Sequence, residues 1–205
     1  MSIIGAVSPQ GSDFSEPVTQ NTKRFVRCFL ALDKSLAYAR HYPAINWTMS
    51  YSEYYEDLDP YYTEHLGEKF CTMRGRILGL LSEENKLMEI VKLIGADILP
   101  EDQKLIIETA KLFRVGFLQQ NAYHAIDTYV PLDKQLRMME LMLKLYSGAK
   151  DIVSRAIPLS QLKETGIFES LAKMKYEVPN DGQEKFAEYD AAIEDALRQV
   201  NEANR

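Results

Sequence analysis

Side chains that often take part in catalysis are present in this chain, but they are scattered. His41, His65 and His124 are far apart in the sequence. A single histidine is more often a hydrogen-bonded residue near the surface than a catalyst. The sequence contains no G-x-S-x-G, H-E-x-x-H, G-x-G-x-x-G or G-x-x-x-x-G-K-[ST] motif, so the usual hydrolase, zinc-protease, dinucleotide and phosphate-binding signatures are missing. The residues alone predict no catalytic residue in this chain.

The cysteines and the overall charge exclude further kinds of site. Cys28 and Cys71 lie in helical patterns without a C-x-x-C spacing or a histidine-rich neighbourhood, so we expect buried, reduced thiols, a cytosolic setting and no metal site. The net charge is -6 with acids and bases mixed, which argues against a nucleic-acid partner. Because no apolar run is long enough to span a bilayer, we expect no insertion into a membrane.

The elements that must position any site begin with a short apolar run, Ile3 to Val7, which has the pattern of a buried strand. No later segment supplies an obvious neighbouring strand, and a lone strand leaves its backbone groups unpaired. We therefore expect the chain to be a piece of a larger protein. Over residues 17–40, apolar residues recur every three or four positions and predict one long helix that ends before Pro43.

Helical periodicity dominates the rest of the chain. After a tyrosine-rich connection, which we expect to be a surface loop, the predicted helices cover residues 60–94, 101–120, 131–158, 159–163, 168–174 and 184–204. Gly95 suits a helix C-terminus, and Pro100 followed by Glu101 and Asp102 suits the start of the next helix. The pattern predicts a mainly α-helical protein.

Three strings are similar, in order and spacing, to one known family. They are GAVSPQGSDFSEPVTQNT (residues 5–22), ALDKSLAYARHYPAINW (31–47) and DILPEDQKLIIETAKLFRVGFLQQNAYHAIDTY (97–129). They resemble the C-terminal part of the catalytic A subunit, or alpha chain, of V/A-type rotary ATPases, which are also called ATP synthases. The strings look like the A subunit, and they do not look like the non-catalytic B subunit. The last predicted helix lies beyond the resemblance.

The resemblance implies a fold and a domain organisation. Residues 1–50 would be the C-terminal remnant of the α/β nucleotide-binding domain, with a strand, a loop and a helix. Residues 51–178 would form the C-terminal helical bundle domain. Residues 179–205 lie beyond the resemblance, and their pattern predicts a terminal helix with freedom to extend from the bundle. The fold class is therefore mainly α.

The resemblance also implies an adenine pocket. In this family, an aromatic residue of a YPA or FPA turn and a second aromatic residue at the start of the helical domain sandwich the adenine ring. Tyr42 and Pro43 match the turn, and Ala122 and Tyr123 match the second position, with Phe117 as a neighbouring alternative. Tyrosine stands where phenylalanine is expected at both positions, which keeps the stacking face and adds a hydroxyl. Two buried core tyrosines are the alternative interpretation.

Two turns are implied to contact the rotating central stalk of the assembly. The turn between the second and third predicted helices matches the acidic helix-turn-helix of the similar F-type beta subunit, with Asp97, Glu101 and Asp102 as candidates. The loop before residue 17 matches a loop that faces the stalk, with Asp13 and Glu16 as candidates. Without the resemblance, both turns would be ordinary capped turns.

Taken together, the resemblance implies a fragment of the ATP-binding subunit of a proton- or sodium-translocating rotary ATPase. The whole catalytic subunit holds ATP or ADP with Mg²⁺ through a P-loop, which this sequence lacks, so we expect the fragment alone to be inactive and to bind no cofactor tightly. The implied partners are the B subunits, in an alternating A3B3 ring, and the central stalk, in a cytoplasmic sector peripheral to the membrane. The alternative is a free-standing helical interaction module without a nucleotide role.

Overall fold

The computed structural model describes residues 2–204. In chain order its α-helices are α1 (Pro17–Phe25), α2 (Lys34–Tyr38), α3 (Tyr54–Leu66), α4 (Lys69–Ile94), α5 (Glu101–Phe113), α6 (Leu132–Ser154), α7 (Leu159–Glu164), α8 (Ile167–Glu177) and α9 (Phe186–Ala203). A π-helical turn, Arg114–Leu118, directly continues α5. The prediction of a mainly α-helical protein is confirmed.

The core lies between helices α4 to α9. Each helix contributes buried apolar side chains to it, among them Leu81, Phe113, Leu145 and Leu171. Burying one such side chain contributes about 1.5 to 3 kcal/mol. Gly116, in the π-helical turn, allows close packing of α8, because a Cβ atom there would lie 3.1 Å from the backbone Cα of Ala172.

The turn between α4 and α5 has the predicted boundaries. α4 ends at Ile94, and the next residue, Gly95, has a φ of 86° and donates its N–H to the carbonyl of Val91 at 2.9 Å. α5 begins directly after Pro100. Both residues act as the sequence predicts. Gly95 adopts a left-handed backbone conformation without strain, and Pro100 lacks the N–H that would be left unpaired at the start of a helix.

The last helix is part of the bundle. α9 packs against α6, α7 and α8 and buries Phe186, Ile193 and Val200. Lys144 of α6 pairs with Asp190 and Glu194 of α9, at nitrogen to oxygen distances of 2.8 and 2.7 Å. The sequence left the position of this helix open, and the buried apolar face explains its docking.

The long helix predicted over residues 60–94 is wrong as a single element. Gly67 separates α3 from α4 and has a φ of 81°. This left-handed conformation favours glycine and lets the chain change direction there. Because α3 already begins at Tyr54, the tyrosine-rich connection is partly helical and not a loop throughout.

The strand predicted at Ile3 to Val7 is also wrong. These residues form an irregular segment, and the side chains of Ile3, Ile4 and Val7 are exposed. A strand needs a neighbour to pair its backbone groups, and within residues 2–204 no strand lies beside this segment.

The single helix predicted over residues 17–40 is wrong for a different reason. α1 ends at Phe25, and strand β1 (Cys28–Phe29) then pairs antiparallel with strand β2 (Tyr51–Ser52). The side chain of Asp33 accepts a hydrogen bond from the N–H of Ser35 at 2.8 Å and starts α2. Pairing with a distant strand therefore outweighs the local helical spacing.

Neither cysteine is buried, so that expectation is wrong for both. Cys28, in the two-stranded sheet, is exposed, and Cys71 is half-buried. Across residues 2–204, no three histidine, cysteine or acidic side chains come together as metal ligands. No described helix combines the length and the apolar content that crossing a bilayer requires.

Candidate functional site

The helix before the YPA sequence ends in a defined motif. The N–H of His41 donates to the carbonyl of Leu36 at 2.9 Å, and the N–H of Arg40 donates to the carbonyl of Ala37 at 3.0 Å. These two bonds form a Schellman motif, with Arg40 in the left-handed region at a φ of 57°. The helix therefore ends in its own C-terminal motif, ahead of the proline that the sequence indicated as its terminator.

The YPA turn (residues 42–44) and the residues that follow it are hydrogen-bonded to the residues before α2. The N–H of Asp33 donates to the carbonyl of Ala44 at 2.9 Å, and the N–H of Asn46 donates to the carbonyl of Ala31 at 2.8 Å. The side-chain amide of Asn46 also donates to a carboxylate oxygen of Asp33 at 2.9 Å. These bonds close a loop of defined shape around α2 and the turn.

A second loop, residues 119–130, leads from the π-helical turn to α6 and contacts the YPA turn. The N–H of Gln120 donates to the carbonyl of Tyr42 at 2.8 Å. The side-chain amide of Gln119 donates to the carbonyl of Arg40 at 3.2 Å, across 79 positions of sequence. The structure thus joins the backbones of the two loops that carry the tyrosines.

The side chains assigned to the adenine pocket differ in exposure. Tyr42 is 53% exposed and Tyr123 is 100% exposed. Pro43 and Ala122 are also exposed, whereas Phe117 is half-buried and packs against the helical core. The alternative of two buried core tyrosines is wrong, because both rings lie at the surface.

His41 and Trp47 form a packed pair next to the YPA turn. Their ring centroids are 5.5 Å apart, and Trp47 packs against the helical core. Burial, with a smaller contribution from the positive charges of Arg114 and Lys175, lowers the pKa of His41. Since Trp47 is the only tryptophan of the chain, its fluorescence reports on this contact.

A buried lysine of α8 lies under the loop of residues 119–130. Lys175 is 2% exposed, and its Nζ donates to the carbonyl of Val115 at 2.7 Å and to the carbonyl of Gln119 at 2.5 Å. Burial lowers the pKa of Lys175, and the negative charge of Asp127 opposes that change.

A second buried lysine supports the first. Lys134, in the first turn of α6, donates from Nζ to the carbonyls of Lys175 and Val178 at 3.0 and 2.7 Å. It also donates to the side-chain oxygen of Asn180 at 3.0 Å. Burial lowers the pKa of Lys134 as well. Sequence patterns did not single out either lysine; the available signal was a lysine on the apolar face of a helix, as Lys175 is between Leu171 and Val178.

The turn between α4 and α5 presents apolar side chains beside its acids. Asp97 and Asp102 are exposed. Glu101 accepts hydrogen bonds from Nζ of Lys104 at 2.9 Å and from the N–H of Leu159 at 2.8 Å, and these bonds lower its pKa. Glu101 therefore joins α5 to α7 in addition to lying near the turn. Ile98 in the turn and Leu93 and Ile94 at the end of α4 are exposed apolar residues.

Asp13 and Glu16 shape the loop before α1. A side-chain oxygen of Asp13 accepts from Oγ of Ser15 at 2.6 Å and from its N–H at 2.9 Å, and these bonds lower the pKa of Asp13. A side-chain oxygen of Glu16 accepts from the N–H of Gln10 at 3.4 Å. Both carboxylates thus hold the local turn together.

Comparison with protein families gives two matches. Residues 59–163 match the C-terminal domain of V and A type ATP synthase, and this match covers half of the chain. The chain belongs to the V/A-type ATP synthase family. Residues 1–52 match the nucleotide-binding domain of the ATP synthase alpha/beta family.

V/A-type relatives match nearly the whole chain. It is 56% identical over 181 residues to V-type ATP synthase alpha chain 2 of Clostridium tetani, and 50% identical over 195 residues to the V-type ATP synthase alpha chain of Halothermothrix orenii. It is 41% identical over 203 residues to the A subunit of the A-type ATP synthase of Methanopyrus kandleri. These matches cover 88%, 95% and 98% of this chain and 31%, 33% and 34% of the relatives. The chain therefore spans about a third of the length of the curated relatives that it matches.

A solved structure supports the fold. The ATP synthase subunit NeqB from Nanoarcheaum equitans is similar with a TM-score of 0.57 at 18% identity, over 68% of this chain and 32% of that chain. In this V/A-type chain, the YPA turn lies in the range matched to the nucleotide-binding domain, and the loop of residues 119–130 lies in the range matched to the C-terminal domain. The candidate site is thus where the two matched units meet.

Proposed function

We propose that the chain is the C-terminal part of the ATP-binding catalytic A subunit of a V/A-type rotary ATPase that moves protons or sodium ions. Membership of the family supports this proposal, and so do relatives whose names identify them as the alpha chain or the A subunit. The matches to both a nucleotide-binding domain and a C-terminal domain argue against a free-standing helical module.

Within that subunit, we propose that Tyr42 and Tyr123 stack on the two faces of the adenine ring, flanked by Pro43, Ala122 and Phe117. The observation that carries this assignment is the backbone hydrogen bond from Gln120 to Tyr42, which holds the two loops together while both tyrosine rings face solvent. An exposed aromatic face accepts a purine base and contributes about 1 to 3 kcal/mol per stacked base.

The described residues fit an adenine base and not the whole nucleotide. Exposed aromatic rings suit the base, but the sequence has no P-loop to hold phosphates. The resemblance assigns the phosphate and Mg²⁺ contacts of ATP or ADP to another part of the A subunit. We therefore expect this chain alone to bind nucleotide weakly and not to hydrolyse ATP.

The assembly partners follow from the same resemblance. We propose that three A subunits alternate with three B subunits in a cytoplasmic sector peripheral to the membrane. The turn between α4 and α5, with Asp97, Glu101 and Asp102, and the loop with Asp13 and Glu16 would face the central stalk. Exposed Ile98 and its apolar neighbours would add to the contact at the first of these turns, since exposed apolar groups often mark a binding surface.

The adenine assignment is tested with Tyr42→Ala and Tyr123→Ala in the full-length subunit. We expect each substitution to weaken ATP binding by about 5- to 150-fold, which corresponds to the loss of one stacking contact. Tyr129→Ala is the matched control, because Tyr129 is 75% exposed and lies in the same loop but is outside the assigned pocket. Equilibrium titration with ATP measures all three.

Unchanged ATP affinity in both tyrosine variants would show that the adenine pocket lies elsewhere. An equal loss in the Tyr129→Ala control would show that the loop as a whole matters and that the rings have no specific role. If the full-length subunit bound no nucleotide at all, the proposal of an ATP-binding subunit would be wrong.

A further inference from the structure

We propose that Lys175, held in place by Lys134, is a positioning residue for the contact between Tyr123 and adenine. It fixes the loop of residues 119–130 so that the loop has its binding shape before the nucleotide arrives. The inference rests on the proposed function, since it concerns the same site. Neither lysine belongs to the assigned pocket.

The first observation is where the ammonium group of Lys175 donates its hydrogen bonds. Its two acceptors, the carbonyls of Val115 and Gln119, lie in the π-helical turn and at the residue that follows it. Carbonyls at a helix end lack partners within the helix, and a buried one needs another donor. Lys175 supplies that donor at the point where the chain enters the loop.

The second observation is that the later part of the same loop, after Tyr123, is also held by hydrogen bonds. The side-chain amide of Asn180 donates to the carbonyls of Ile126 and Tyr129 at 3.1 and 2.7 Å. Inside the loop, the buried carboxylate of Asp127 accepts from the N–H of Asn121 at 2.6 Å. The loop backbone is thus held on both sides of Tyr123.

Lys134 contacts both Lys175 and Asn180, the two residues that bind the loop backbone. Its Nζ has three oxygen acceptors at 2.7 to 3.0 Å, on Lys175, Val178 and Asn180. An ammonium group has three N–H donors and a neutral amine has two, so the arrangement fits the charged form. Lys134 therefore orients the backbone of Lys175 and the side chain of Asn180 together. We call Lys134, Lys175, Asn180 and Asp127 the lysine network.

The contrast between this fixed backbone and the exposed ring points to a ligand contact. Tyr123 is fully exposed although the loop backbone around it is held by buried polar groups. Burying two ammonium groups is costly, and simple packing would favour apolar side chains at these positions. A loop that is already ordered loses less conformational entropy when a ligand binds.

The test uses Lys175→Met in the full-length subunit, since methionine keeps an apolar stem and removes the donors. Equilibrium binding is measured with ATP and with inorganic tripolyphosphate, which carries phosphates but no adenine. We expect a loss of about 3- to 10-fold for ATP and no change for tripolyphosphate. Lys173→Met is the matched control, since Lys173 is an exposed lysine of the same helix, and it changes neither affinity. Lys175→Arg restores part of the ATP affinity, because a guanidinium group can donate to both carbonyls.

A double substitution tests whether Lys175 acts through Tyr123. In a Tyr123→Ala background, Lys175→Met causes no further loss of ATP affinity if the proposal is right. Independent, additive losses overturn it, and so does an equal loss for ATP and tripolyphosphate. If Tyr123→Ala weakens ATP binding and Lys175→Met does not, the positioning role is wrong and the adenine pocket stands. If Tyr123→Ala has no effect, both fail.

A milder substitution covers the case in which Lys175→Met does not fold. Asn180→Ala removes the bonds to Ile126 and Tyr129 while Lys175 keeps its acceptors. We expect a smaller loss of ATP affinity, about 2- to 5-fold, with tripolyphosphate unchanged. Loss of both affinities, or of neither, counts against the lysine network as a positioning device.

Discussion

The helical bundle buries its apolar side chains, whereas the segment before it exposes many of its own. In the bundle (residues 54–204), helices α4 to α9 close over a shared core. In the N-terminal segment (residues 2–52), Ile4, Phe25 and Leu32 are exposed, and short hydrogen-bonded turns define the structure. Because residues 1–52 match a nucleotide-binding domain, we infer that the rest of that domain covers these side chains in a longer subunit.

The largest expected difference between the two regions comes from truncating one phenylalanine in each. Phe113→Ala removes a fully buried ring and should lower the free energy of unfolding by about 3 to 5 kcal/mol. Phe25→Ala removes a ring that is 86% exposed and should change it by about 0.5 kcal/mol or less. Urea denaturation followed by circular dichroism measures both.

The cost of Phe25→Ala shows whether residues 2–52 have a core of their own. A cost above about 2 kcal/mol for Phe25→Ala would mean that the N-terminal segment has a core of its own, and the inferred covering domain would lose its support. Similar small costs for both variants would mean that Phe113 is not part of a tightly packed core.

A methyl group added to one glycine in each region gives the next largest effect. A Cβ at Gly116 would lie 2.9 Å from the terminal methyl of Met142 and 3.1 Å from the Cα of Ala172, so Gly116→Ala should cost about 1 to 3 kcal/mol. A Cβ at Gly5 meets nothing within 4 Å, so Gly5→Ala should be close to neutral. The midpoint of urea unfolding checks both, and a neutral Gly116→Ala would refute the close approach of α8.

Backbone strain should act equally in both regions, unlike packing. Arg40 in the N-terminal segment and Ala156 in the bundle both have left-handed backbones, with φ of 57° and 59°. Arg40→Gly and Ala156→Gly should each stabilise the chain by about 0.5 to 1 kcal/mol, because glycine removes the strain but adds freedom to the unfolded chain. Thermal unfolding measures the gain. A loss at Arg40 alone would show that its side chain has a structural role.

Much of the bundle could be predicted from sequence because its signals are local. Helical spacing, Gly95 and Pro100 indicated where α4 ends and where α5 begins. The break of the helix predicted over residues 17–40 could not be predicted, because it depends on the pairing of β1 with β2. Local patterns contain no information about that distant partner.

The candidate site, too, could be predicted from the sequence only in part. Tyr42 and Tyr123 could be named because they lie in strings that resemble a family, but their surface position and joined loops needed the structure. The sequence offered a signal for Lys175, a lysine on the apolar face of a helix, but no signal for the atoms that it contacts. The acceptors of the lysine network are mostly backbone carbonyls, and any residue type carries a carbonyl.

The smallest expected effect lies at the junction of the two regions and depends on pH. The pKa of His41 is lowered from its ordinary value of 6.5, mainly by burial. A lowered pKa in the folded state means that its stabilising contribution is present above pH 6.5 and is lost as the pH falls through the folded-state pKa. We therefore expect the contact between His41 and Trp47 to loosen on acidification below pH 6.5 while the helices remain intact. Trp47 fluorescence should change in this range and far-ultraviolet circular dichroism should not.

His41→Gln should abolish the fluorescence change, and His65→Gln, at an exposed histidine of α3, should leave it in place. A simultaneous change in both signals would mean that the junction and the bundle respond to acid as one unit.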